Sequence, residues 1–68
     1  MIILYTVPNC PRCKMLKTKL EAKHIEYIEK EDVDKLIALG FSNAPILEVD
    51  GQFLELSKAN DYINKIEV

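Results

Sequence analysis

The stretch Thr6–Leu20, TVPNCPRCKMLKTKL, carries two cysteines two residues apart, at the junction of an apolar run and a helical pattern. Ahead of it, Ile2 to Thr6 is nearly continuous in apolar and β-branched residues, as in a strand buried on both faces. Val7 to Cys10 then reads as a loop marked by Pro8 and Asn9. Pro11 suits the first position of a helix, where its missing N–H costs nothing. Cys13, Leu16 and Leu20 recur at i, i+3 and i+7, and Arg12, Lys14, Lys17 and Lys19 supply a polar side. This helix fades near Lys23 and His24.

Working outward, Ile25–Glu29 (IEYIE) predicts a second strand. Strand, helix and strand at this spacing form a βαβ unit with parallel pairing and a right-handed crossover. Asp32 is placed to cap a short helix carrying Val33, Leu36 and Ile37, with Gly40 as its stop. Asp50-Gly51 between two apolar runs signals a tight hairpin joining Ile46–Val49 to Gln52–Leu54. Ser57 is placed to cap a last helix with Ala59, Tyr62, Ile63 and Ile66 as its apolar stripe. The expected order is β-α-β-α-β-β-α, an α/β fold.

Bulk properties narrow the function classes. The chain has 68 residues, which suits one domain over 1–68 with a thin core. A composition of 49% hydrophobic and 29% charged residues with net charge −2 is that of a globular domain and offers no basic surface for nucleic acid. No stretch approaches the length of a membrane span, and the N-terminus lacks the pattern of a signal peptide, so the cytoplasm is the expected compartment. Disulfides there are rare and tend to be catalytic or transient. As a staple, a ring closed by Cys10 and Cys13 would contribute about 2 kcal/mol at most. A zinc site wants four ligands, and His24 is the one obvious addition to the two cysteines. C-x-x-C beside a βαβ pattern instead points to a redox dithiol.

Three features now coincide: Cys10-Pro11-Arg12-Cys13 between first strand and first helix, Ala44-Pro45 heading the third strand, and the element order. Over essentially the whole chain this resembles the glutaredoxin-like members of the thioredoxin fold, nearest to the short glutaredoxin-like redoxins. The resemblance implies a mixed four-stranded sheet with helices on both faces. It implies a thiol–disulfide oxidoreductase active in electron transport and cell redox homeostasis, with Cys10 attacking and Cys13 resolving. Pro11 and Arg12 support the site. Pro45 is expected cis beside the thiols, and the backbone of Ala44 is expected to pair with an extended substrate segment. An aromatic at the Tyr5 position is common near the thiols, although core packing explains it equally well. Lys58 and Asn60 could face a ligand across the cleft, but an exposed first helical turn is the simpler account of them.

The setting suits a thiolate. A helix N-terminus and the nearby Arg12 and Lys14 stabilise a sulfur anion at Cys10 and lower a thiol's pKa. Each thiolate also becomes less nucleophilic, with a Brønsted slope of about 0.4–0.5, so roughly half the gain on a logarithmic scale is returned. The motif thus tunes redox poise at least as much as speed.

Three departures from the family patterns bear on the electron donor. Glutaredoxins usually carry Thr-Val-Pro where this chain has Asn43-Ala44-Pro45. They usually carry a Gly-Gly pair after the hairpin that helps hold glutathione, where this chain runs Phe53-Leu54-Glu55-Leu56-Ser57-Lys58. The Trp-Ser-Gly-Phe signature of redoxins serving ribonucleotide reductase is also missing, since the chain has no Trp. The expected partners are disulfide-containing proteins and a donor, either glutathione or a thioredoxin-reductase-like flavoenzyme, with no tightly bound cofactor, no metal and a monomeric state. The alternative from another class is a non-catalytic interaction or metal-sharing module on the same fold.

Overall fold

The computed structural model describes residues 1–66. The last two positions of the expected 1–68 domain lie outside the described residues. The elements run β1 (Ile2–Thr6), α1 (Pro11–Ala22), β2 (Ile28–Glu31), α2 (Val33–Ala38), β3 (Ile46–Val49), β4 (Gln52–Leu54) and α3 (Leu56–Lys65). The sheet order is β2-β1-β3-β4. β1 runs parallel to β2, with Leu4 opposite Glu29, and antiparallel to β3, with Leu4 opposite Leu47. β3 and β4 pair antiparallel.

Strand alternation divides the core into two layers. Leu4 and Leu47 point to one face and pack with Leu16 and Leu20 of α1 and Ala59 and Ile63 of α3. Ile3, Tyr5 and Ile46 point to the other face and pack with Leu36 of α2. Each fully buried Leu or Ile contributes about 1.5–3 kcal/mol, so a chain this short leans on every one of them. The mixed sheet with helices on both faces is the architecture expected.

The first helix stops through a defined backbone motif. Ile25 N–H donates to Leu20 O at 3.0 Å and His24 N–H to Glu21 O at 3.1 Å, with His24 at φ +57. That is a Schellman ending with histidine in the place where glycine is usual. The turn spends the residues expected to open β2. Ile25 and Tyr27 pack onto the α1/α3 core instead, and strand pairing begins at Ile28. The second strand is therefore Ile28–Glu31, not Ile25–Glu29.

α2 follows its sequence signals at both ends. The Asp32 carboxylate accepts from Lys35 N–H at 3.0 Å. Gly40, at φ +88, closes a second Schellman ending, with Phe41 N–H donating to Leu36 O at 2.9 Å. Its expected apolar stripe is reduced to Leu36, because Val33 and Ile37 are 41% and 65% exposed. Asp50 and Gly51 both take positive φ, +48 and +89, as a primed hairpin turn requires. The last helix starts one position before the expected cap. Glu55 is its N-cap without a side-chain bond, and Ser57 lies inside the first turn. Packing of Leu56 against the core draws it into the helix.

Candidate active site

Asn9 takes φ +57, a conformation asparagine tolerates better than most residues, and turns the chain from β1 into α1. Cys10 then adopts extended angles, φ −114 and ψ 99, and acts as the N-cap. Pro11 occupies the first helical position, so the first amide free to act belongs to a later residue. Cys13 N–H donates to Cys10 Sγ at 3.1 Å. The sulfur thus does the work of a capping oxygen, satisfying one orphan donor of the helix.

The two cysteines are joined as a disulfide, with Cα atoms 5.2 Å apart, inside the usual range for such a bond. Cys10 is half-buried, and Cys13 is buried at 4% exposure. Pro11 and Arg12 are exposed on the first turn. No acidic residue stands in that turn, so nothing there opposes the positive end of the helix. One sulfur is reachable and faces a positive field; the other sits behind it. That arrangement suits attack at the first and closure by the second.

A cavity of about 200 Å³ opens at the dithiol, lined among others by Thr6, Lys14, Lys17, Glu29 and Glu31. Glu29 of β2 reaches Lys17 Nζ at 2.9 Å and accepts from Thr6 Oγ1 at 3.4 Å. The Glu29 carboxylate bonds to the Lys17 ammonium and holds it above the ordinary lysine value. This cluster was not legible in the sequence as part of the site. The one available signal was helical spacing, since Lys17 follows Cys13 by four residues and shares its face.

The other expected site residues divide clearly. The Ala44–Pro45 bond is cis, and Pro45 is fully buried at the head of β3. Ala44 lines a neighbouring apolar groove with Leu36 and Phe41, and Val7 lines both that groove and the dithiol cavity. Tyr5 is fully buried in the α2-side core, with its hydroxyl donating to Glu48 at 2.9 Å and Lys35 Nζ 5.3 Å from its ring centre. It does not line the dithiol cavity, so core packing accounts for it. Asn60 accepts from Lys19 and ties α3 to α1. Lys58 lines grooves away from the dithiol. His24 is exposed at the far end of α1. Among the described residues no group of three or more His, Cys, Asp or Glu is arranged to hold a metal ion, and no helix is long and apolar enough to cross a membrane.

The glutaredoxin family model matches residues 2–54. The glutaredoxin-like protein NrdH of Lactococcus lactis subsp. cremoris (strain MG1363) is 36% identical over 56 residues, covering 74% of this chain and 78% of that protein. An uncharacterized glutaredoxin-like 8.6 kDa protein from the rubredoxin operon of Clostridium pasteurianum is 30% identical over 63 residues, covering 79% and 81%. Among solved structures, the glutaredoxin-like NrdH-redoxin of Escherichia coli, described for the structural basis of its thioredoxin-like activity profile, superposes with a TM-score of 0.79 at 20% identity, covering 98% of this chain and 95% of that one. A point mutant of the thioredoxin-like protein BC3987 superposes with a TM-score of 0.72 at 21% identity, covering 90% and 96%. These two likenesses show the thioredoxin-like fold.

Proposed function

This chain belongs to the glutaredoxin family and is a thiol–disulfide oxidoreductase, and from that premise we propose that Cys10 is the attacking thiol and Cys13 the resolving one. The Cys10 thiolate attacks a disulfide in a protein substrate or a glutathione mixed disulfide, and one substrate sulfur leaves as a thiol. Cys13 then attacks Cys10, releases the second substrate thiol and leaves the Cys10–Cys13 disulfide. A donor dithiol, or two molecules of glutathione, returns the electron pair. The observation that carries this assignment is the 3.1 Å bond from Cys13 N–H to Cys10 Sγ at the start of α1. It favours the anion on Cys10, through a charge-assisted bond and the helix terminus together.

Pro11 and Arg12 support the thiolate, one by presetting the helix start and the other by its charge. The backbone of Ala44, next to Pro45, pairs with the substrate segment by strand addition. No tightly held cofactor is needed, since two thiols carry both electrons. One domain over residues 1–68 does this as a monomer in the cytoplasm.

For the donor we favour a thioredoxin-reductase-like flavoenzyme over glutathione. Two observations support that choice. Where glutaredoxins usually have Gly-Gly, this chain places Glu55 and Leu56, and Leu56 is packed against the core at the start of α3. A glutathione molecule held there would meet a carboxylate and a side chain where the family pattern has neither. The related Escherichia coli protein is described as having a thioredoxin-like activity profile.

The test follows NADPH consumption by the oxidised protein, with glutathione and its reductase in one arm and thioredoxin reductase in the other. Turnover with thioredoxin reductase alone is the expected result. Turnover with glutathione would mean that its groove survives without the glycine pair. Silence in both arms would sink the catalytic assignment.

A further inference from the structure

The Thr6–Glu29–Lys17 cluster has no part in the chemistry described so far, yet all three residues line the cavity of the dithiol. Glu29 is held at both carboxylate oxygens: Oε1 by the Lys17 ammonium at 2.9 Å and Oε2 by the Thr6 hydroxyl at 3.4 Å. Thr6 is only 5% exposed. Lys17 stands one helical turn beyond Cys13 on the same face of α1. The helix and the β1–β2 pairing therefore bring a carboxylate with two partners into the cavity that Cys13 also lines.

The resolving step needs a base. Cys13 is nearly enclosed, and burial disfavours a thiolate. The helix-terminal amide that could stabilise an anion is already given to Cys10, and it is the amide of Cys13 itself. Among the ionisable groups lining the cavity besides the two thiols, Lys14 and Lys17 are cations and Glu29 and Glu31 are carboxylates. Lys17 is kept protonated by Glu29, with smaller contributions from Tyr27 and Glu21, so it does not serve as the base. Of the two carboxylates, Glu29 is the one oriented by bonds at both oxygens.

We infer that Glu29 is the proton acceptor for Cys13 in the resolving step, with Lys17 and Thr6 as its positioning residues. This inference rests on the roles assigned above to Cys10 and Cys13. Cys13 S–H gives its proton to the Glu29 carboxylate. The new thiolate attacks Cys10 Sγ of the mixed disulfide. The Cys10–Cys13 bond forms as the bond from Cys10 to the substrate sulfur breaks, and the electron pair departs on that sulfur. The proton held by Glu29 then passes to the departing thiolate, so the substrate leaves reduced and neutral. Run backwards, protonated Glu29 returns the proton to Cys13 when a donor thiolate opens the disulfide.

The experiment uses reduced protein and the disulfide reagent 5,5′-dithiobis(2-nitrobenzoate), followed by the absorbance of released thionitrobenzoate. The first equivalent reports attack by Cys10, and the second reports resolution by Cys13. Glu29→Gln is expected to slow the second phase about tenfold or more near pH 7 and leave the first within about twofold. Its second phase should then climb with pH, as hydroxide replaces the lost carboxylate. Glu29→Asp should recover part of the rate, and Glu31→Gln should match the parent in both phases. Glu29 lies on an edge strand and is exposed, so these variants retain the core. An unchanged second phase in Glu29→Gln would overturn the inference. So would equal slowing in Glu31→Gln, which would assign the effect to the cavity's net charge. If the parent protein released a single equivalent, or Cys10→Ser still gave the first phase, the assignment of the two cysteines would fall instead.

Discussion

The backbone N–H of Cys13 donates to the sulfur of Cys10 across 3.1 Å. Under the roles proposed above, one residue serves both steps, its amide steadying the attacking sulfur and its thiol closing the reaction. Cys10→Ser should abolish turnover with every donor. Cys13→Ser keeps that amide, so it should still attack and then accumulate a mixed disulfide, seen by mass spectrometry as a substrate adduct. An adduct on Cys10→Ser and none on Cys13→Ser would reverse the roles.

Arg12 is exposed on the first turn of α1, where its charge adds to the helix terminus. Arg12→Glu should raise the Cys10 thiol's pKa and slow its alkylation near pH 7 by about two- to fivefold, an effect that salt should weaken. Iodoacetamide rates taken across pH would show it as a profile displaced to higher pH. An unmoved profile would mean that the amide and the helix terminus set the thiolate alone.

Lys23 locks the two long helices together. Its Nζ donates to the carbonyls of Ile63 and Ile66 at 2.8 Å each and of Asn64 at 3.3 Å, where α3 ends. The last carbonyls of a helix have no internal partners, and a cation is favoured there. Lys23→Met should cost about 1–2 kcal/mol and lower Tm by roughly 5–15 °C. A Tm within about 2 °C of the parent's would mean that water replaces these bonds without loss.

Gly51 holds φ +89 in the β3–β4 turn, and a methyl group placed there would meet no atom within 4 Å. The penalty of Gly51→Ala is therefore conformational, about 1–2 kcal/mol. Gly51→Asn should cost less, because asparagine enters this region more readily. Urea unfolding of the two variants would rank them; an alanine variant as stable as the parent would contradict the turn geometry.

Stability should fall at alkaline pH for identified reasons. Lys17 is raised above the ordinary lysine value of 10.5, first by its bond to Glu29, and Lys35 is raised above the same value, first by the neighbouring Tyr5. Tyr27 is raised above 10.0, mainly by burial. A raised folded value contributes stability that is complete below the unfolded value and is lost as pH climbs through the folded one. The decline should therefore begin near pH 10 and continue above it. Lys17→Met should flatten part of it in urea titrations at successive pH values, and an identical slope would remove Lys17 from the account.

Local signals were enough for much of this molecule. Pro11 after Cys10, Asp32 before α2, Gly40 after it and Asp50-Gly51 in the hairpin each act over a few residues, and the structure has a helix start, a cap, a stop and a turn at those places. The C-x-x-C spacing within a strand–helix unit likewise carried the redox chemistry, because a helix terminus acts on its nearest neighbours. Tertiary structure decided what depends on distant partners. Pairing of Ile28 with Ile3 and burial of Ile25 and Tyr27 moved β2, and the packing of Leu56 overrode Ser57 as a cap. Glu29 joined the site because parallel pairing set it opposite Leu4, within reach of Thr6 and Lys17. Such contacts link residues far apart in the chain, and no local pattern records them, since sheet register and core packing choose the partners only when the whole domain closes.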